Sequence, residues 1–161
     1  MKVWKYGDDI NTDMLFPGKY TYTCSTAEEI KSHLLEDLDS DFASQVQKGD
    51  IVFAGKNFGC GSSREQPALG FKAVGISAIV AESFSRIFYR ASINQGLLLI
   101  ECADAVRAFS EGAPVEVDAT EGTIRVGDHN FNFPKLPSEM MEIMKAGGLL
   151  NYTRKKLENR K

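Results

Sequence analysis

The run Ile51-Val52-Phe53-Ala54 restricts the fold of this chain more than any other feature of its sequence. It is continuous rather than alternating, too short for a helix, and bounded by Gly-Asp before it and by a glycine-rich turn after it. Such a run reads as a strand buried on both faces, the situation of parallel sheets covered on both sides. A second run over 76–81 leads through Glu82-Ser83 into a helix expected over 84–95, and 97–100 reads as the strand that follows. Between the two runs, the turn 55–65 opens into a helix expected over 64–74. This strand-helix alternation is the signature of an α/β layer.

Around that centre the signals are shorter. A strand is expected over 2–6 and a loop over 7–18, where Asp, Asn, Gly and Pro each favour turns. A helix over 27–35 is capped by Ser25 or Thr26, with Glu28 and Glu29 at the positive end of its dipole. A short helix is expected over 42–46. Three β segments, over 115–118, 123–126 and 130–133, are separated by Glu-Gly and Gly-Asp turns, which predicts an antiparallel edge to the sheet. A closing helix over 138–146 is stopped by Gly147-Gly148. The 161 residues, 43% of them hydrophobic, suffice for one core, and no linker or repeat divides them, so 1–161 reads as one domain.

The charge balance narrows the partners. With 19 Lys and Arg against 22 Asp and Glu, the chain has no excess of positive charge to attract nucleic acid or anionic lipid. The first residues lack the apolar core of a secretion signal and no run approaches membrane-spanning length, so a cytoplasmic protein is expected. Cys24, Cys60 and Cys102 are widely spaced and odd in number, which fits neither a disulfide framework nor a metal pair, and His33 and His129 stand apart from them. No metal is expected on this chain.

The segment that carries chemistry is Gly59-Cys60-Gly61-Ser62-Ser63-Arg64-Glu65. It places two hydroxyls and a guanidinium where a buried strand gives way to a helix, a position at which free backbone N–H groups favour an anion. Gly59 and Gly61 allow close approach of the backbone to a ligand. Arg64 has the geometry to grip a carboxylate with two parallel hydrogen bonds, and a serine whose alkoxide is stabilised by such donors serves as a base. The same residues also suit plain helix capping by Ser62 or Ser63. The Gly-Lys-Ser/Thr ending of a phosphate-cradling loop is absent, which argues against nucleotide binding.

The segment 55–65 resembles the Gly-Ser-Ser-Arg-Glu signature of the mobile domain of the aconitase superfamily. Four further segments agree in order: Gly7-Asp8-Asp9-Ile10-Asn11-Thr12-Asp13, Phe16-Pro17-Gly18-Lys19-Tyr20, Ala81-Glu82-Ser83-Phe84-Ser85-Arg86-Ile87-Phe88-Tyr89-Arg90 and Asn94-Gln95-Gly96-Leu97. The length is similar to that of the short, free-standing small subunits of isopropylmalate dehydratase and homoaconitase. The resemblance implies a swivelling β/β/α domain, a mixed sheet with flanking helices, closing over a large subunit that carries a 4Fe-4S cluster. The reaction implied is dehydration and rehydration of an alkylmalate, interconverting 2- and 3-isopropylmalate in leucine biosynthesis. It implies Ser62 as the catalytic base and Ser63 and Arg64 as substrate carboxylate ligands. Gly59, Gly61 and Glu65 would orient the loop, and Thr12 and Asp13 would face the substrate.

In the same family the segment after Pro-Gly-Lys/Arg-Tyr meets the variable arm of the substrate, and here it reads Tyr20-Thr21-Tyr22-Thr23. The homoaconitase version resembles Tyr-Leu-Arg-Thr, with an arginine for a second carboxylate. Tyr22 cannot neutralise that charge, which favours an alkyl arm and leaves isopropyl, methyl and dimethyl malates open. Two readings of another class remain: a thiol sensor at Cys60, since a cysteine beside a helix N-terminus can have a lowered pKa, and a non-catalytic interaction module.

Overall fold

In the computed structural model, which describes residues 1–160, the strands β1 (Val3–Lys5), β2 (Ile51–Ala54), β3 (Ala78–Ala81) and β4 (Leu99–Glu101) form one parallel sheet in the order β1-β2-β3-β4. The register pairs Val3 with Ile51, Ile51 with Ala78 and Ile79 with Leu99. Every residue of β2 and β3 is buried, which is why their sequences are unbroken apolar runs. Parallel strands in sequential order need a crossover at each step, and crossovers of one hand send the connecting helices to one face. These are α1 (Thr12–Leu15), α2 (Ala27–Ser32), α3 (Phe42–Gln45), α4 (Gln66–Ala73) and α5 (Arg86–Asn94). Val52, Ala54, Ile79 and Ala81 point to that face and pack with Leu34, Phe42, Phe71 and Phe88.

The alternate residues Ile51, Phe53, Ala78 and Val80 point the other way, onto α6 (Ala103–Ala108) and a second sheet. That sheet is antiparallel, in the order β5 (Val115–Asp118), β6 (Thr123–Val126) and β7 (His129–Asn132). Its inward residues Val115, Ile124 and Val126 complete the second core. The result is three layers, sheet on sheet on helices. The expectation of an antiparallel edge on the main sheet is therefore corrected. The three strands have the anticipated pairing, but they stack across the parallel sheet, and their strand ladders pair only with one another.

Further differences are local. The 7–18 segment contains the one-turn helix α1, capped by the Asn11 side chain, which accepts from the Asp13 and Met14 backbone N–H groups. Thr26, not Ser25, caps α2, in a reciprocal box with Glu29. The helix after the serine loop begins at Gln66, two residues later than expected. Gly147 ends α7 (Ser138–Ala146) in a left-handed cap as anticipated, but a further helix, α8 (Leu149–Glu158), starts directly after Gly148. Among the described residues no helix is long and apolar enough to cross a membrane.

Candidate active site

The carboxyl ends of β1, β2 and β3 all open on one edge of the parallel sheet, and the loops that leave them are zipped together by backbone hydrogen bonds. Asp9 N–H donates to the Lys56 carbonyl, Gly59 N–H to that of Ile10, Thr12 N–H to that of Cys60, and Phe58 N–H to that of Ser83. Asp8 and Asp9 brace the turn as well, through Lys56 N–H and the Asn57 amide. Gly59 and Gly61 are required here. Both have positive φ, and a Cβ would meet the Phe88 ring at 2.2 Å in the first case and Thr12 Oγ1 at 2.9 Å in the second.

This framework brings Thr12, Ser62 and Arg64 together. Arg64 Nε donates to Ser62 Oγ at 3.0 Å. Thr12 Oγ1 lies 3.1 Å from the same oxygen and also accepts the Ser62 backbone N–H at 3.1 Å. Once Ser62 has lost its proton its Oγ can only accept, and in that state the Thr12 hydroxyl donates to it. Two donors therefore converge on one serine oxygen at an exposed position, an arrangement that favours the deprotonated hydroxyl. Thr12 itself is buried, which fixes its direction.

In this arrangement the Arg64 fork is held by the chain's own atoms. Its Nη1 donates to the Phe16 carbonyl at 3.0 Å and to Thr21 Oγ1 at 3.1 Å, and its Nη2 pairs with Asp13 Oδ1 at 2.7 Å. With Nε on Ser62, four of its N–H groups already hold the chain's own atoms, and its side chain is only 13% exposed. Asp13, exposed on the surface, occupies the fork where a substrate carboxylate was expected. Neither Ser62 nor Ser63 caps α4, whose N-cap is Glu65 without a side-chain bond. Ser63 and Glu65 are exposed, and among the described residues neither side chain is hydrogen-bonded.

The 18–24 segment lies beside this cluster. Residues Gly18–Tyr20 form a 3-10 turn, Thr21 is joined to Arg64 and, through its carbonyl, to the Gln66 amide, and Tyr22 stands out at 99% exposure. Tyr20, expected to meet substrate, turns its hydroxyl to Glu36, donating to Oε1 at 3.0 Å, and stacks its ring on His33. Lys19 likewise pairs with Glu36. Glu36 and His33 were not anticipated as part of this region, because their partners lie 13 to 17 positions away and nothing local marks them.

The cysteines do not make a ligand set. Cys24 and Cys102 are buried in different parts of the core, Cys60 is half-buried, and no group of three His, Cys, Asp or Glu side chains suited to a metal occurs among the described residues.

Three layers, with a glycine-shaped Ser-Ser-Arg loop braced against an Asn-Thr-Asp loop at the carboxyl edge of the parallel sheet, define the mobile domain of the aconitase type. Residues 9–105 match the Aconitase C-terminal domain family. The chain is 50% identical over 151 residues to a 3-isopropylmalate dehydratase small subunit from Halothermothrix orenii, covering 92% of this chain and 91% of that one. It is 47% identical to that of Caldicellulosiruptor bescii over 98% and 95% of the two chains. A crystal structure of 3-isopropylmalate dehydratase from Methanocaldococcus jannaschii superposes with a TM-score of 0.91 at 38% identity, over 99% of this chain and 95% of that one. The chain belongs to the family of 3-isopropylmalate dehydratase small subunits, hydro-lyase subunits of the aconitase superfamily.

Proposed function

We propose that this chain, acting as one swivelling domain over 1–161 in the cytoplasm, supplies the base and substrate-arm contacts for the interconversion of 2- and 3-isopropylmalate. The observation that carries this reading is the convergence of Arg64 Nε and the Thr12 hydroxyl on Ser62 Oγ. Those donors stabilise an alkoxide, and the alkoxide takes the proton from the substrate carbon, leaving the electron pair to form the double bond as hydroxide departs. On rehydration the same serine returns its proton to carbon, regenerating the alkoxide, while hydroxide adds to the neighbouring carbon. Ser63, exposed beside Ser62, and the Arg64 fork receive a substrate carboxylate, Asp13 leaving the fork as the substrate enters. Gly59 and Gly61 hold the loop in shape, and Thr21 and Tyr22 face the alkyl arm.

The partner in this reading is a large subunit, and a 4Fe-4S cluster held by that subunit would supply a Lewis acid for the departing hydroxyl. The residues of this chain do not fit the cluster, for the reasons given for its cysteines. The test is reconstitution with a large subunit of the same family and a panel of 2-isopropylmalate, 2-methylmalate, 2,3-dimethylmalate and homocitrate. The highest kcat/KM is expected for 2-isopropylmalate. A preference for homocitrate, or no turnover of any alkylmalate, overturns the proposal.

A further inference from the structure

We infer that Glu36 is a positioning residue for the substrate loop, holding the 18–22 segment in the place from which Thr21 and Tyr22 meet the alkyl arm. The inference rests on the function proposed above and adds to it a residue outside the Ser-Ser-Arg loop.

Glu36 gathers three donors. Its Oε2 lies 2.5 Å from His33 Nδ1, and its Oε1 accepts from Tyr20 Oη at 3.0 Å and from Lys19 Nζ at 3.1 Å. An ionised carboxylate only accepts, so His33 Nδ1 carries the proton toward it. The His33 ring, fixed by that bond, stacks on Tyr20 with centroids 3.8 Å apart. Tyr20 and Lys19 belong to the 3-10 turn, and the next residue, Thr21, is the one that takes Arg64 Nη1. A continuous chain of contacts thus runs from Glu36 through the turn to the guanidinium on Ser62. Bonds from His33 and then Lys19 hold the Glu36 carboxyl down at about 2, so it stays ionised through the working range.

The backbone before Glu36 shows the same purpose. Leu35 is fully buried and adopts a left-handed conformation, φ 60°, which is strained for a residue with a branched side chain. That strain turns the chain so that Leu35 N–H reaches the Leu15 carbonyl at 2.8 Å, the last residue of the helix carrying Thr12 and Asp13, while the Glu36 side chain faces the 3-10 turn. One bend therefore fixes both neighbours of Arg64 at once. Capping or solubility would need neither the strain nor three converging donors.

The experiment is steady-state kinetics of the reconstituted two-subunit enzyme with Glu36→Gln, alongside Lys19→Gln, which removes the charge of one exposed donor, shortens its reach and leaves the fold. A loosened loop weakens substrate binding more than the chemical step. We expect KM for 2-isopropylmalate to rise about tenfold in Glu36→Gln and about threefold in Lys19→Gln, with kcat within about twofold of wild type. The double variant should fall short of the product of the two effects, because both act through one carboxylate. A fall in kcat at unchanged KM, the result of a merely structural role, overturns the inference, as does an unchanged KM in both variants. Ser62→Ala is run beside them. If it is inactive and the Glu36 result is negative, this inference alone fails; if it retains turnover, the proposed function fails and this inference with it.

Discussion

Replacing Arg64 with lysine separates what the guanidinium does for chemistry from what it does for local order. Lysine keeps the charge but brings its three donors to one point, so it can retain the pair with Asp13 and cannot also span Ser62 Oγ, the Phe16 carbonyl and Thr21 Oγ1, which Nε and Nη1 now hold. Two of the lost bonds go to part-buried neutral acceptors, the Phe16 carbonyl and Thr21 Oγ1, each contributing about 1 kcal/mol. The expected loss is about 2 kcal/mol, which lowers Tm by roughly 4–8 °C for a domain of this size. The third lost bond is the one on Ser62 Oγ. Removing one donor from a developing oxyanion costs about 10² to 10³ in rate, so kcat should fall by that factor while KM rises about tenfold from loss of the carboxylate fork. The assay follows the unsaturated diacid by ultraviolet absorbance in the reconstituted enzyme, with a thermal melt of the isolated chain. A lowered Tm with wild-type kcat would refute the reasoning, since it would confine Arg64 to bracing the loops.

Two other outcomes follow from the same geometry. Tyr22→Arg, at a fully exposed tip, should shift the kcat/KM ratio from alkylmalates toward homocitrate, because a charge-assisted pair then becomes available for the distal carboxylate; an unchanged ratio means the side chain does not reach the arm. Ser92 lies fully buried on α5 with no partner for its hydroxyl among the described residues, so Ser92→Ala should raise stability by about 1 kcal/mol and Tm by roughly 2–4 °C, and a lowered Tm would reveal a partner for that oxygen.

How far the sequence disclosed this molecule depends on whether a feature is local. The parallel strands were legible because burial on both faces leaves an unbroken apolar run, as in Ile51–Ala54. The antiparallel strands were legible as strands but not as a separate sheet, since their own pattern is the same whichever layer they join. The helix α8 buries no residue and follows two glycines, so neither an apolar stripe nor a cap announced it. In the site, the residue types of Ser62 and Arg64 carried their chemistry on their face. Thr12 as the second donor to Ser62 depends on a contact across 50 positions, and Asp13 in the fork of Arg64 on one across 51. Glu36 depends on a left-handed leucine that no composition rule anticipates.

The most direct test of the whole account is proton exchange at the substrate carbon. Incubating the reconstituted enzyme with 3-isopropylmalate in deuterium oxide and following deuterium incorporation by NMR isolates the step assigned to Ser62. The account predicts that Ser62→Ala slows incorporation by about 10² to 10⁴ while the subunits still associate. Incorporation within a few-fold of wild type would contradict it and take the base away from this chain's serine loop.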